Sequence, residues 1–208
     1  MARPAVSMPT VTRCHWCGSD PLYVRYHDHE WGRPVADDRA LFEKISLEGF
    51  QAGLSWITIL RKRENFREAF DQFDFEKVAG YGARRVRALL KDAGIVRHRG
   101  KIESTINNAK RVCDLVSGGG SLAGLLWGYE PTPPSRPEQL TWEVLKTLAT
   151  TPESIALSKD LKRRGWSFVG PTTAYAAMQA MGLVNDHLET CYVRGIVEKV
   201  RRTFPRPH

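Results

Sequence analysis

Apolar side chains in this chain recur at three- and four-residue intervals in one segment after another, and no run alternates in the way a half-buried strand requires. Leu41, Phe42 and Ile45 follow a capping Asp37-Asp38 pair; Trp56, Ile57, Ile59 and Leu60 form the next segment, and Phe66, Phe70 and Phe73 mark a turn-rich stretch. From Arg84, the residues Val86, Leu89, Leu90 and Ala93 share a face that is predicted to end at Gly94, the residue type that closes helices. Ile102, Ile106, Ala109, Val112 and Val116 make a further stripe before Gly118-Gly119-Gly120. Pro131 to Pro137 reads as an exposed loop. Thr151-Pro152-Glu153 has the order cap, first-position proline, acidic first turn, and predicts a helix to Gly165. A last helix is expected from near Pro171 to Gly182. The fold is therefore expected to be all-α.

At 208 residues the chain can bury one sizeable core without disulfide or metal staples. Its 31 Lys and Arg against 23 Asp and Glu leave a formal charge of +8, which favours polyanionic partners, with nucleic acid first among them. No apolar run approaches a membrane span, and Met1 to Val11 lacks the apolar centre of a signal peptide, so a soluble, cytoplasmic protein without membrane contact is expected.

The stretch Leu47-Glu48-Gly49-Phe50-Gln51-Ala52-Gly53-Leu54-Ser55-Trp56 sets one carboxylate among small and apolar residues, with an indole eight positions later. A desolvated Glu48 requires a cation or several donors to meet it, and Trp56 offers a flat face that attracts a cation by roughly 0.5–2 kcal/mol. The competing arrangement leaves Glu48 exposed on a helix turn and Trp56 in the core.

Four cysteines, Cys14, Cys17, Cys113 and Cys191, are too scattered for a disulfide framework. His187 and Cys191, four apart, can share one helix face and form half of a metal site. Cys14, His15, Cys17 and His27 are candidates for the other half. Such a site would pin the two ends of the chain together, and with four protein ligands it would be closed and structural. Between two predicted helices, Ile95-Val96-Arg97-His98-Arg99-Gly100 forms a short basic connection of the helix-hairpin-helix type, where the N–H groups at the start of the second helix can hold a phosphate. Its glycines are sparser than in the common DNA-binding hairpins.

Taken together, Asp20-Pro21-Leu22-Tyr23, Tyr26-His27-Asp28, Glu30-Trp31-Gly32, Leu47-Glu48-Gly49, Gln51 to Trp56, Asp92 to Ile95, Arg97 to Ile102 and Gly182 to His187 resemble the DNA-3-methyladenine glycosylase I family over roughly residues 13 to 193. The resemblance implies a helix-hairpin-helix glycosylase fold in which a structural zinc ion on Cys14, His27, His187 and Cys191 joins the N- and C-terminal segments. It implies a base pocket of Glu48, Tyr26 and Trp56 with Trp16 and Trp31 as further walls, Glu48 being the candidate catalytic group. Gly53 and Leu54 fall on the segment that enters the gap left in the duplex, and Arg97, His98, Arg99, Gly100 and Lys101 on the DNA-binding hairpin. Residues 1–12 are then expected to be a flexible extension, 13–195 one glycosylase domain of two packed helical subdomains, and 196–208 a basic tail.

On this reading a monomer acts on double-stranded DNA containing alkylated bases, flips the lesion out and hydrolyses the glycosidic bond of N3-methyladenine. No counterpart of the usual catalytic aspartate of that superfamily is evident, and no lysine is placed for a Schiff base, so no lyase step is expected. Phe50 stands where a polar residue is expected and could alter how the segment meets DNA. Two rivals remain: a non-catalytic zinc module that binds DNA, which leaves Glu48 unexplained because a carboxylate repels phosphate, and an excision enzyme of the same fold acting on N7-methylguanine or oxidised bases.

Overall fold

The computed structural model describes residues 11–208. Among them the regular structure is entirely helical, and the principal helices are α1 (Pro21–His29), α2 (Asp38–Gln51), α3 (Trp56–Ala69), α4 (Phe75–Ala79), α5 (Ala83–Leu89), α6 (Arg99–Ser117), α7 (Leu122–Trp127), α8 (Trp142–Leu145), α9 (Pro152–Arg163), α10 (Pro171–Ala180) and α11 (Tyr192–Thr203). None is long and apolar enough to cross a membrane. The expected flexibility of residues 1–12 falls mostly outside the described residues; at its end, the Tyr192 N–H donates to the Thr12 carbonyl at 3.0 Å.

Local chemistry sets most helix limits. Asp37 caps α2 by accepting from the Ala40 N–H, and Thr151 and Ser154 form a reciprocal capping box on α9. Gly182, at φ +79°, ends α10: the Gly182 and Leu183 N–H groups bond back to Gln179 and Met178. A side chain at Gly182 would also meet the Arg33–Pro34 peptide at 2.5 Å.

The core forms where α2, α3, α6, α9 and α10 meet, around Leu41, Phe42, Ile59, Phe66, Ile102, Ala109, Leu157, Leu161, Ala174 and Met178. α6 packs on α4, and α10 packs on both α9 and α2. Phe50 lies inside this core, with its ring centroid 4.6 Å from Phe66 and 5.7 Å from Phe70. It fills an aromatic cluster, so the expected influence of Phe50 on DNA contact is replaced by a packing role.

One helix limit differs from the sequence reading, and some helices form where none was expected. α5 ends at Leu89 rather than Gly94, because the Asp92 carboxylate accepts from the Gly94 N–H at 2.7 Å and turns the chain early, while Lys62 and Asn65 hold the Gly94 carbonyl. α1 arises where no helix was expected, from Asp20 capping Leu22 and Tyr23 and from Pro21 at the first position. α11 follows the helix taken as last. Val193 and Val197 anchor it inside, so residues 196–203 of the expected basic tail belong to a packed helix. The end of the chain is packed as well: Phe204 lies 4.8 Å from Trp127, and Arg206 binds Glu130 at 2.9 Å.

Lys101, expected on the hairpin surface, points inward. It is 7% exposed, and its ammonium donates to the carbonyls of Phe50 (2.9 Å) and Ala52 (2.6 Å), which end α2. Lys101→Met would strand both acceptors and is expected to cost about 1–3 kcal/mol, lowering the Tm by several degrees in a circular-dichroism melt. An unchanged melt would show that the two carbonyls find other donors.

Candidate active site and metal centre

α2 is enclosed on every side at its C-terminal end, where the six residues Ile45 to Phe50 are all buried. That enclosure buries Glu48, 6% exposed, and it pushes the carboxyl up to about 8 from the ordinary glutamate range, with the charge of Lys44 pulling the other way. The Glu48 carboxyl makes no hydrogen bond to another described residue; it lines a cavity of about 330 Å³. The exposed arrangement weighed for Glu48 is thereby excluded.

Aromatic side chains form the rest of this cavity. Tyr26 and Tyr23, three apart on α1, both line it, as do Trp16, Trp31 and Trp56. The Tyr26 and Trp56 rings are 5.4 Å apart, and Trp16 packs edge-on against Trp31 at 4.9 Å. Burial and the nearby Glu48 raise the Tyr26 hydroxyl well above its usual range, so it remains a proton donor near neutral pH. The indole N–H groups of Trp16 and Trp56 are buried without a partner among the described residues. The cavity thus offers a carboxyl group, phenol donors and flat π faces, which suits a planar, cationic, nitrogen-rich guest.

Several lining residues escaped the sequence reading. Tyr23 carried a usable signal, since a residue three before Tyr26 shares its helix face. Gln51 lies in the same segment as Glu48. Trp142 and Lys146 come from around α8, and Gln179 from α10, with no local pattern to connect them with Glu48. The Gln179 amide N–H₂ donates to the buried Asp186 carboxylate at 2.8 Å, and Asp186 also accepts from the Tyr175 hydroxyl and pairs with Arg136.

The loop from α2 to α3 borders the cavity. Gly53 has φ +82°, a conformation suited to glycine, and Leu54 is 40% exposed at the tip, with Gln51 donating to its carbonyl. Arg97, His98 and Arg99 are exposed on the connection from α5 to α6. The His98 ring accepts from the Lys101 N–H at 3.2 Å and so caps α6, while Gly100 lets this turn approach His98 and Phe168. Arg99 pairs with Glu103 at 3.1 Å.

Behind the aromatic wall, Cys14, His27, His187 and Cys191 bring two sulfurs and two ring nitrogens within 4.8 Å of one another, all buried. Cys191 Sγ lies 3.4 Å from His27 Nε2 and 3.5 Å from His187 Nδ1, and Cys14 Sγ lies 3.7 Å from His187 Nδ1. The outward nitrogens are held: His27 Nδ1 meets Asp28 at 2.8 Å and His187 Nε2 meets the Trp31 carbonyl at 3.1 Å. Arg13 clamps Asp28 in turn, at 2.8 Å. The set can hold a metal ion. Cys17 lies outside it, its thiol facing the Cys14 carbonyl at 3.1 Å. His15 is exposed beside Trp142 and is no part of the cluster.

A family model described as methyladenine glycosylase matches residues 16–194. The chain is 49% identical over 181 residues to DNA-3-methyladenine glycosylase 1 of Escherichia coli K12, covering 87% of this chain and 96% of that protein. A crystal structure of 3-methyladenine DNA glycosylase I superposes with a TM-score of 0.82 at 48% identity, covering 87% of this chain and 98% of the other. A single-site variant of 3-methyladenine DNA glycosylase I, in complex with 3-methyladenine, superposes at 0.81 with 37% identity over 88% of this chain and 97% of the other. With nearly the whole relative matched each time, and the matched region containing the buried carboxyl, its aromatic walls and all of the cluster except Cys14, this chain belongs to the DNA-3-methyladenine glycosylase I family.

Proposed function

We propose that this chain is a monomeric, intracellular base-excision glycosylase that hydrolyses the N-glycosidic bond of N3-methyladenine in alkylated duplex DNA. The observation that carries this reading is Glu48, a buried carboxyl group without a hydrogen-bond partner among the described residues, in a cavity walled by aromatic rings. An adenine methylated at N3 carries positive charge, so it can supply the missing counter-charge while stacking on Trp56. A neutral adenine cannot. A base inside a duplex is out of reach of such a cavity, and the lesion must therefore be flipped out. Leu54, exposed at its tight loop, is suited to fill the gap because an apolar wedge replaces lost stacking without competing for hydrogen bonds.

The cationic base is already a good leaving group. Water adds its oxygen to C1′ of the sugar as the C1′–N9 bond breaks, the bond's electron pair goes to the base, which departs neutral, and the water gives up a proton. The role assigned to Glu48 and Tyr26 is to hold the base edge, with Glu48 also opposing the positive charge that develops on the sugar. The proposed reaction has no lyase step. Lys44 lies on α2 with its ammonium 5.9 Å from the Tyr26 ring, but it does not line the cavity; Lys146 does line it, exposed and paired with Glu143. Borohydride is therefore expected to trap no enzyme–DNA adduct.

DNA is proposed to be held by the connection from α5 to α6 acting as a helix-hairpin-helix, with the N–H groups of Arg99 and Gly100, at the start of α6, toward a phosphate and Arg97 and Arg99 adding charge. Lys101 contributes through its buried link to α2. The four-donor cluster fits structural zinc: two thiols and two imidazoles are the donors of a closed tetrahedral site, and both rings are oriented from behind. Bound there, zinc would supply no chemistry to the reaction and would join the N-terminal segment to the start of α11.

Release of free 3-methyladenine from methylated duplex DNA tests the activity. Glu48→Gln is expected to lower kcat/KM by roughly 10- to 150-fold, from the loss of a charge-assisted contact, and Trp56→Ala by roughly 2- to 30-fold. Wild-type rates in both would remove the pocket assignment.

The raised Glu48 value gives a sign for pH dependence. Unfolded, the carboxyl ionises in the ordinary glutamate range; folded, it holds its proton up to about 8. The folded state thus binds more protons between those values, and its stability falls as pH rises through that window. Glu48→Gln is expected to raise the Tm by an amount that grows from pH 5 to pH 8. In the wild type, kcat/KM should rise with pH and level off above about 8, a slope that the variant loses.

Metal analysis of purified protein should give one zinc per chain. Cys14→Ser and Cys191→Ser are expected to reduce it strongly, while Cys17→Ser keeps it. Equal zinc in all three variants would place the metal elsewhere.

A further inference from the structure

A second cavity, of about 630 Å³, opens between α11, the loop from Glu130 to Pro137 and the segment after α10. Its size is that of a small-molecule site. Five arginines line it, Arg136, Arg194, Arg201, Arg202 and Arg206, against two carboxylates, Glu130 and Glu198. Three of these arginines, Arg201, Arg202 and Arg206, lie beyond residue 194, where the match to the family ends.

The internal pairings do not exhaust the donors. Glu130 takes Arg201 at 2.8 Å and Arg206 at 2.9 Å, so a single carboxylate serves two guanidinium groups. Arg136 is committed to Asp186, and Arg194 to the carbonyls of Asn185 and His187. Arg201 is only 13% exposed, and its Nη1 is buried with no partner among the described residues. Burial pulls its guanidinium below the usual arginine range despite Glu130, so more negative charge is called for than the protein supplies. Arg202 adds an exposed cation at the rim.

Acceptors stand beside these donors. Asn185 is 9% exposed; its amide N–H₂ donates to the Arg194 carbonyl and to Glu198, which leaves Oδ1 buried and without a partner among the described residues. A pocket with spare guanidinium donors and a spare amide acceptor matches a ligand that carries an anionic group and a hydroxyl group together. We propose that this cavity binds a phosphoryl group on a hydroxylated carrier, held by Arg201 and Arg202 with a carrier hydroxyl donating to Asn185 Oδ1. Guanidinium is the side chain best matched to phosphate oxygens, since its fork donates two parallel hydrogen bonds. The carrier is either a free sugar phosphate or the 3′-terminal nucleotide of a DNA strand, where a phosphate and a free sugar hydroxyl stand together, and the two sources share this chemistry.

The test is calorimetric titration of the zinc-loaded full chain, at fixed ionic strength, with deoxyribose 5-phosphate and in parallel with a short undamaged duplex. Saturable binding of the sugar phosphate, weakened at least about tenfold in both Arg201→Gln and Arg202→Glu, is the expected result for a free carrier. If only duplex affinity falls in both variants, with a smaller salt slope, the phosphoryl group belongs to DNA. Excision of 3-methyladenine from a saturating substrate should be unchanged in each, as neither residue lines the base cavity. Should Arg201→Gln fail to fold, the exposed Arg202→Glu carries the test by itself. Absence of saturable binding by either probe, or affinities that both substitutions leave unaltered, would overturn the proposal.

Discussion

The four-donor cluster of Cys14, His27, His187 and Cys191 is the contact on which the base cavity depends. It joins positions as far apart in sequence as Cys14 and His187, separated by 173 residues, and closing so long a loop has an entropic cost that thiol and imidazole contacts alone offset poorly. A shared metal ion would offset it well, because binding free energy at such a site is folding free energy. The cavity inherits the resulting order. Tyr26 precedes His27 on α1, Trp16 stands two residues after Cys14, and the Trp31 carbonyl orients His187. Three of the aromatic walls are thus within two residues or one hydrogen bond of a cluster residue.

Against that fixed wall, Glu48 is held in a state that resists ionisation. Burial favours the neutral acid; Lys44, one helical turn earlier, partly opposes it. The two effects together leave a carboxyl group that ionises readily only when positive charge enters the cavity. Selectivity on this account needs no close steric fit to a methyl group. On the proposed function, a cationic purine would gain the carboxylate and the indole faces at once, whereas a neutral purine would meet an acid with its proton still in place and weaker π attraction.

How much of this was legible in the sequence depends on distance along the chain. The pocket segment from Leu47 to Trp56 is local, so its carboxylate among apolar neighbours is visible in the sequence, but only the packing around the end of α2 decides that Glu48 is buried rather than exposed. Trp142 and Gln179 are brought to Glu48 only by the packing of α10 against α2 and by the loop around α8, and nothing near them announces it. Cys14 and Cys17, three apart on one short turn, are equivalent by composition; the backbone at that turn aims one thiol at His187 and the other at a carbonyl. α11 was hidden for a different reason. Its basic half, from residue 196 on, reads as a tail, while the buried Val193 and Val197 seat the helix on the rest of the protein.

Lys101 shows why a basic residue cannot be assigned to a phosphate from its neighbours. It sits in a run of cations at the start of α6, yet its ammonium is spent on the last carbonyls of α2, groups that a helix C-terminus leaves without intrahelical donors and that carry partial negative charge. Those carbonyls flank Gln51 and immediately precede Gly53 and Leu54. The connection from α5 to α6 and the loop from α2 to α3 are consequently tied through one buried cation. Whatever seats on the first displaces the second only by stretching two short hydrogen bonds. An apolar side chain could fill the same volume but could not satisfy the carbonyls, so the rigidity between these two surfaces is electrostatic in origin.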